Sequence, residues 1–480
     1  MDEQGILKKL DELNFTFEPS EQERKHYLSQ IESYTSKFYD ALPNLPTYSP
    51  TGYSTESEDD FLKVENTDDF NGILTYINER IDAHGLQPAS GGHLGYIPGG
   101  GLYEAALGDY LASVSNQYSG VSYASPGAVR LENSLIQWVG KIVGYTLGFA
   151  GNLTSGGSIA NLIAINTAKH SKQINSQNVR KSVIYTTQQT HHSLLKAIKL
   201  TGLDECVVRV IAMDETFSML TNAFEKTVVE DLQNGLNPFL VISNAGSTDV
   251  GAVDPLEDIS NIAQKHGLWH HVDAAYGGFF MLTEAGRKTL KGIEKADSII
   301  LDPHKGLFLS YGSGVVLVKD GLKLKNAFSQ EANYMQDTVG EYDWSPADLS
   351  PELSRPFRGL RMWIPLKIHG VAKFSQCLDE KLLLANYFYV KIKALGFETG
   401  PQPALSVVLF RYVPSDGEAN DFNKAAVANI HHSCKVFIST TSIDNVFWLR
   451  VAILSFRTKR KEVDVLLGHL KDYLAGVKVK

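Results

Sequence analysis

The feature that most constrains the fold is an alternation of short β-branched runs with amphipathic stretches, which begins near residue 147. The runs are VIYTT (183–187), VVRVIAM (207–213), FLVISN (239–244), LWHHVD (268–273), SIILD (298–302) and GVVLV (314–318). Helix-like segments, such as 217–234 and 256–266, lie between them. Near-continuous apolar strands separated by helices predict a mostly parallel sheet covered on both faces, and therefore an α/β fold.

Composition and hydrophobic patterning divide the chain into three predicted regions. Residues 1–80 combine a charged, helix-like start with an acidic stretch at 49–68 that is too poor in apolar residues to form a core, so we expect an N-terminal arm and linker. Residues 81–363 hold the sheet and form the expected large domain. From residue 364 a long helical segment, the strand-like runs SVVLFRYV and FWLRVAIL and a closing helix predict a small α+β domain, 364–480.

Charge and hydropathy exclude several classes of partner. Lys and Arg number 45 against 54 Asp and Glu, so the net charge of -9 provides no electrostatic basis for binding nucleic acid or an anionic membrane. No stretch approaches the roughly 18 uninterrupted apolar residues that span a bilayer. Three widely spaced cysteines form neither a disulfide framework nor a zinc pattern. We therefore expect a cytoplasmic protein without a metal site.

Polar residues that follow the apolar runs are the candidates for chemistry, because open α/β sheets bind ligands beyond the carboxyl ends of their strands. Asp273 ends one run, Lys305 follows the next, and His191 follows the first. The segment NLTSGGSIANLIA leads through glycines and serines into a helix, a candidate site for an anion. Taken singly, each feature is typical of a cap, an ion pair or a turn. Together they match pyridoxal phosphate, which needs an anion site, a lysine amine for its aldehyde and a carboxylate for its ring nitrogen.

An ordered set of motifs also resembles the group II pyridoxal-phosphate amino-acid decarboxylases, which include aromatic-L-amino-acid and glutamate decarboxylases. The motifs are ASPGAVRLE (124–132), TSGGSIAN (154–161), TTQQTHHS (186–193), NAGSTDVGAVDP (244–255), HVDAAYGG (271–278), DPHKG (302–306) and RPFRGLRMW (355–363). Each motif alone is weak, but the set in this order is specific. The resemblance implies a type I fold, like that of aspartate aminotransferase, and a homodimer whose site is completed at the subunit interface.

The resemblance also assigns roles to single residues. Lys305 would form the Schiff base with the cofactor, Asp273 would pair with its ring nitrogen, and His191 would stack on the ring. The other cofactor-binding residues that it implies are Ala275 on the opposite face of the ring, Gly157, Ser158 and His304 at the phosphate, and Thr248 near the ring. Tyr342 would lie on a loop that closes over the site, where it protonates the substrate carbon.

The substrate remains open at this point. Tyr96 and Pro98 correspond to a segment that lines the family's substrate pocket, and Gly306 stands where aromatic decarboxylases commonly carry a bulky residue. The favoured prediction is decarboxylation of an aromatic L-amino acid to an amine and carbon dioxide. The alternatives are an acidic or polar substrate, an aldehyde-forming decarboxylase-deaminase, and a non-catalytic regulatory subunit that binds the cofactor. A transaminase is less favoured, and a nicotinamide dehydrogenase is disfavoured because this sequence lacks the G-x-G-x-x-G motif of that class.

Overall fold

The structure is a computed structural model that describes residues 2–13, 17–49, 69–329, 344–415 and 418–478. Two compact units are present, Met1–Ser90 and Gly91–Lys480. The first contains helices α1 (Glu3–Glu12), α2 (Glu21–Ala41) and α3 (Phe70–Tyr76), and a two-stranded ladder of β1 (Tyr48–Ser49) and β2 (Gly85–Leu86). A reciprocal pair of hydrogen bonds between Ser20 and Glu23 caps α2 at its start.

The second unit is built around a seven-stranded sheet. Its strands are β3 (Ala150–Thr154), β4 (Ser182–Thr186), β5 (Val207–Val210), β6 (Asn237–Asn244), β7 (Trp269–Asp273), β8 (Ser298–Leu301) and β9 (Gly314–Val318). Their order is β3-β9-β8-β7-β6-β4-β5. Only β9 runs against its neighbours, so the sheet is mostly parallel and the predicted α/β fold is confirmed.

Helices cover both faces of this sheet. They are α4 (Tyr103–Ser115), α5 (Pro126–Ile142), α6 (Gly157–Ser171), α7 (His192–Leu200), α8 (Thr221–Gln233), α9 (Leu256–His266), α10 (Glu284–Thr289), α11 (Pro303–Gly306), α12 (Gly321–Phe328) and α13 (Gly359–His369). On β9, Val315 and Leu317 join one apolar cluster while Val316 and Val318 join another. This two-sided burial explains why the strands are almost continuously apolar in sequence.

A four-stranded antiparallel sheet follows the large one. It comprises β10 (Glu398–Thr399), β11 (Val407–Arg411), β12 (Ser439–Ile443) and β13 (Val446–Ala452), in the order β10-β11-β13-β12. Helices α14 (Val371–Ala394), α15 (Ala419–His432) and α16 (Arg460–Lys478) pack with it around a separate apolar cluster that includes Phe388, Phe410 and Leu466. The small α+β sheet domain is thus confirmed, while the exact boundaries at 80 and 363 stay predictions.

One expected helix begins later than the sequence indicates. The apolar periodicity predicts a helix over 217–234, but α8 starts at Thr221. The Asp214 carboxylate accepts hydrogen bonds from the backbone N–H groups of Thr216 and Ser218, and Phe217 has a φ of 62°. This local turn competes with helix formation until residue 221. Among the described helices, none is long and apolar enough to cross a bilayer.

Candidate active site

A cavity of about 270 Å³ lies at the carboxyl edge of the large sheet. Strands β3, β4, β6, β7 and β8 point the same way, and each is followed by residues that line this cavity. All eight residues predicted to bind the cofactor line it: Gly157, Ser158, His191, Thr248, Asp273, Ala275, His304 and Lys305. The parallel sheet therefore brings together side chains that are up to 148 positions apart in sequence (305 - 157).

Lys305 lies on the short helix α11, which begins directly after β8 and the residue Asp302. Its Nζ is 3.0 Å from Oδ2 of Asp302, and Nε2 of His304 is 3.7 Å from the same oxygen. The other carboxylate oxygen of Asp302 is buried without a hydrogen-bond partner in the described part of the chain. Burial lowers the pKa of His304, although Asp302 and the carbonyl of Ser313 oppose the shift. The cavity thus holds an amine whose neighbouring carboxylate has one acceptor oxygen unpaired among the residues that the structure describes.

Asp273 is the last residue of β7, and only 8% of it is exposed. Its Oδ1 accepts a hydrogen bond of 3.1 Å from the backbone N–H of Ala275, and its Oδ2 accepts one of 3.2 Å from the amide of Asn161 on α6. These two donors hold the carboxylate in one orientation at the cavity wall. A buried carboxylate fixed in this way is suited to pair with a protonated ring nitrogen.

His191 forms the N-cap of α7, and its ring Nδ1 is 2.7 Å from the hydroxyl of Ser193. Burial lowers the pKa of His191, and the nearby Asp273 carboxylate opposes the shift. The lowered pKa favours the neutral form of the imidazole. A neutral imidazole in the cavity wall is compatible with stacking on a cofactor ring. That role of His191 stays a prediction.

The first turn of α6 forms another wall of the cavity through Gly157 and Ser158. Gly156, the preceding residue, has a φ of 148°, which favours glycine. A Cβ atom at Gly157 would lie 3.0 Å from Oδ2 of Asp302, so any side chain there would enter the space between helix and carboxylate. This opening at a helix N-terminus is suited to a phosphate, because backbone N–H groups and the helix dipole favour an anion there.

The small domain supports the cavity from outside. Arg450 on β13 is buried and donates hydrogen bonds to the carbonyls of Thr248 and Asp249, and to the hydroxyl of Ser439. Burial lowers the pKa of Arg450 to about 10. Tyr276, in the cavity wall, exchanges hydrogen bonds with Ser406 of the same domain. The two sheets are thus linked through the loops that line the cavity.

Three predicted site residues do not line the cavity. Tyr96 is 60% exposed, with a φ of 50°, and Pro98 is buried in the same loop. This loop packs on α11, because a Cβ at Gly99 would collide with the carbonyl oxygen of His304. Gly306 faces Phe279, whose Cβ would lie 2.7 Å from an added Cβ, so its lack of a side chain does not enlarge the cavity. Tyr342 lies outside the described residues.

Several cavity residues were not predicted from sequence. They are Ser155, Gly156, Ile159, Asn161, Ser193, Asn244, Gly246, Ser247, Tyr276 and Asp302. Asn161, Ser193 and Asp302 lie within the motifs TSGGSIAN, TTQQTHHS and DPHKG, and that position is the signal that could have found them. Their side-chain bonds join different strands and helices, and such contacts leave no periodic pattern in sequence.

The residues present fit pyridoxal phosphate. The cavity offers a helix N-terminus for a phosphate, a lysine amine for an aldehyde, and a fixed buried carboxylate for a ring nitrogen. These are the three groups by which proteins hold that cofactor. A cluster of three or more side chains able to bind a metal is absent from the described residues.

Comparison with known proteins agrees with this fit. The family model described as the pyridoxal-dependent decarboxylase conserved domain matches residues 64–413. The chain is 32% identical over 424 residues to an aromatic-L-amino-acid decarboxylase from Bacillus atrophaeus, covering 86% of this chain and 88% of that one. It is 28% identical to tyrosine decarboxylase 3 from Petroselinum crispum, covering 95% and 92%.

A solved structure shares the fold. The crystal structure of Oryza sativa TDC with PLP and tryptamine superposes with a TM-score of 0.90 at 22% identity, covering 96% of this chain and all of that one. The chain belongs to the pyridoxal-dependent decarboxylase family. It is a pyridoxal-phosphate-dependent amino-acid decarboxylase, a lyase of amino-acid metabolism, with the predicted type I fold.

Proposed function

We propose that this enzyme decarboxylates an aromatic L-amino acid and releases the corresponding amine and carbon dioxide. The observation that carries the chemistry is the convergence of Lys305, Asp273 and His191 on one cavity beside the start of α6. The aromatic substrate is supported by the relatives, which are named as decarboxylases of aromatic-L-amino acids and of tyrosine. It is further supported by the structural neighbour that was solved with tryptamine.

The roles of the side chains follow from their positions. Lys305 would hold the cofactor through Nζ. Its neighbour Asp302 would balance the positive charge of that amine, when protonated, in the resting site. Gly157 and Ser158 would bind the phosphate at the start of α6. When bound, pyridoxal phosphate supplies an electron sink for the electrons of the bond that loses carbon dioxide. Asp273 would stabilise positive charge at the ring nitrogen, since its two donors keep it oriented toward the cavity.

Tyr342 remains our candidate for the group that donates a proton to the substrate carbon. A tyrosine hydroxyl can act as a general acid when a closed site excludes water, because water would otherwise compete for the same step. Tyr96 and Pro98 remain candidates for the substrate pocket through the loop that packs on α11. We propose that they contact the side chain of the substrate, whereas Gly306 acts by letting α11 pack against Phe279.

We further propose that the enzyme is a homodimer. One face of α4 buries Ala105, Gly108 and Ala112, and the close approach of α13 at Gly108 leaves no room for a Cβ. The other face exposes an apolar stripe at helical spacing: Tyr103, Leu107, Tyr110, Leu111 and Val114, each at least 40% exposed. A stripe of this kind favours burial against a second copy. Helix α1 exposes Ile6, Leu7 and Leu10, which supports an N-terminal arm that binds the partner.

The dimer is tested by Leu111→Lys, with Leu147→Lys as the control because Leu147 is an isolated, 94% exposed leucine. Light scattering coupled to size exclusion should show a dimer for the unmodified protein and the control, and a monomer for L111K. A monomeric unmodified protein would contradict the proposal. We also propose a cytoplasmic location, which the three free cysteines support, and no nucleic-acid or membrane partner.

The substrate is tested by incubating the purified, cofactor-loaded enzyme with a pool of amino acids and following the products by mass spectrometry. The expected result is a single new aromatic amine. An amine from an acidic or polar amino acid would overturn the aromatic assignment. An aldehyde together with peroxide would favour the aldehyde-forming decarboxylase-deaminase. Cofactor binding without any product would favour the non-catalytic regulatory subunit.

A further inference from the structure

A chain of buried hydrogen bonds runs beneath the cavity, from the middle of the sheet to two of the cavity residues. It begins at the indole N–H of Trp269, which is 2.9 Å from the hydroxyl of Ser298. Ser298 lies 2.9 Å from Nδ1 of His271, whose Nε2 lies 2.9 Å from Oδ1 of Asn161. At least 98% of the surface of each of these residues is buried, so solvent does not offer them alternative partners.

The direction of every bond in this chain is determined by its ends. An indole N–H can only donate, so Ser298 accepts from Trp269 and has its own hydrogen available for His271. An amide oxygen can only accept, so Nε2 of His271 donates to Asn161. Burial lowers the pKa of His271 to about 4, and a neutral ring with its proton on Nε2 accepts at Nδ1. Both ring nitrogens are thereby satisfied.

The orientation of the Asn161 amide determines which hydrogen bonds it makes to two other cavity residues, Asp273 and Ser193. Because its oxygen accepts from His271, its nitrogen faces the cavity side, where it lies 3.2 Å from Oδ2 of Asp273 and 3.1 Å from the hydroxyl of Ser193. The two amide hydrogens serve these two acceptors. Ser193 then accepts from Asn161 and donates to Nδ1 of His191. The backbone N–H of Ser193 also donates to this Nδ1, at 3.3 Å, so the proton of the neutral His191 ring is on Nε2.

We propose that Asn161 is a positioning residue that sets, in one step, the orientation of the Asp273 carboxylate and of the Ser193 hydroxyl that donates to His191. The inference deepens the proposed function, since it rests on Asp273 and His191 acting on the cofactor. No other uncharged side chain of this size accepts on one side and donates twice on the other. An aspartate at position 161 would lose both donors and would place a second carboxylate beside Asp273.

The first test uses the unmodified full-length protein, with its histidines labelled with nitrogen-15. NMR, with His191→Asn used only to assign the signal, should show an unprotonated Nδ1 and a protonated Nε2 in His191, with and without pyridoxal phosphate. A proton on Nδ1, or a doubly protonated ring near pH 7.5, would overturn the proposed bond direction. The backbone N–H of Ser193 requires the same tautomer, so this measurement tests the bond directions, and the variants test Asn161 itself.

The second test compares Asn161→Asp with Asn166→Asp, measuring the dissociation constant of pyridoxal phosphate for the full-length, cofactor-free protein. Asn166 is a matched control on the same helix, whose amide contacts the carbonyl of Ala327 instead of a cavity residue. Loss of hydrogen bonds to a charged group predicts binding about 10- to 100-fold weaker for N161D. N166D should bind within about twofold of the unmodified protein. Equal binding by N161D and N166D would overturn the inference.

A third comparison, of His271→Gln with His271→Leu, remains available if N161D does not fold. Glutamine can still donate to Oδ1 of Asn161, whereas leucine cannot. We expect H271Q to keep cofactor binding closer to the unmodified protein than H271L, and equal loss in both folded variants would count against the proposal. Failure of the unmodified protein to bind pyridoxal phosphate at all would instead reject the proposed function, so the two failures are distinguishable.

Discussion

The two sheets of the second unit are both covered by helices, yet only one of them builds the cavity. In the large sheet, strands β3, β4, β7, β8 and β9 are buried along their whole length, whereas β12 of the small sheet alternates between half-buried and exposed residues. Parallel strands end at the same edge, so the polar residues that follow them meet there. Antiparallel strands end at alternate edges and disperse such residues.

The small sheet supports the loops that line the cavity. Its contribution to the cavity consists of bonds to backbone and hydroxyl groups of the loops, from Arg450 to Thr248 and from Ser406 to Tyr276. We therefore expect changes at the carboxyl edge of the large sheet to abolish chemistry. Changes in the small sheet should weaken binding or stability and leave the chemistry in place. Four predictions test that division, beginning with the largest effect.

Replacing Lys305 with alanine should lower amine formation by about 10⁴-fold or more, because the variant has no amine to hold the cofactor covalently. Turnover is measured by product formation with saturating pyridoxal phosphate. Lys295→Ala is the control, since Lys295 is a partly exposed lysine that pairs with Glu257 away from the cavity. Substantial turnover by K305A would place the chemistry elsewhere.

Replacing Asp273 with asparagine should lower turnover by about 100-fold, because a neutral amide cannot stabilise positive charge at the ring nitrogen as a carboxylate does. Asp231→Asn is the matched control, since Asp231 is a buried carboxylate that binds Tyr185 and Arg209 outside the cavity. Turnover per folded molecule should be unchanged in the control. Similar losses in both variants would show that burial of a carboxylate, and not its place at the sheet edge, is what matters.

His93→Phe should change the pH dependence of stability without changing turnover near neutral pH. His93 pairs with Phe437 in a bridge beside the small sheet, its Nδ1 has no partner among the described residues, and burial lowers its pKa from 6.5 to about 4. Between these values the unfolded chain binds a proton that the folded protein does not, so falling pH favours unfolding. Relative to H93F, the unmodified protein should lose about 2 kcal/mol of unfolding free energy between pH 8 and pH 5.

This difference is measured by urea denaturation of both proteins at the two pH values. A difference that does not vary between pH 8 and pH 5 would mean that His93 is protonated equally in the folded and unfolded states, contrary to its burial.

Arg450→Met should have the smallest effect, a loss of about tenfold in cofactor affinity with turnover at saturating cofactor largely retained. Methionine leaves the carbonyls of Thr248 and Asp249 without their donor, and this loosens the loop after β6. The control is Arg411→Met on β11, since Arg411 pairs with Glu398 and contacts no cavity residue. A loss of turnover as large as that of D273N would make the small sheet part of the catalytic machinery.

Much of the site was predictable because its residues occur in local patterns. Asp273 ends an apolar run, Lys305 and His191 each follow one, and the glycines before α6 mark a helix start. A strand pattern identifies such positions whatever the order of the strands in the sheet. The predictions for Tyr96, Pro98 and Gly306 depended on the family's pocket, and the structure does not place these residues in the cavity wall. What lies next to a loop depends on packing between distant segments.

The sequence by itself determined the α/β class, the family and the candidate cofactor-binding side chains, because periodicity and motifs of consecutive residues indicate all three. Only the tertiary structure decided that β9 runs against its neighbours, that Gly306 faces Phe279, and that Asn161 joins His271 to Asp273. The physical reason is that a hydrogen bond of about 3 Å depends on the relative placement of separate strands and helices. No local pattern in the chain encodes that placement.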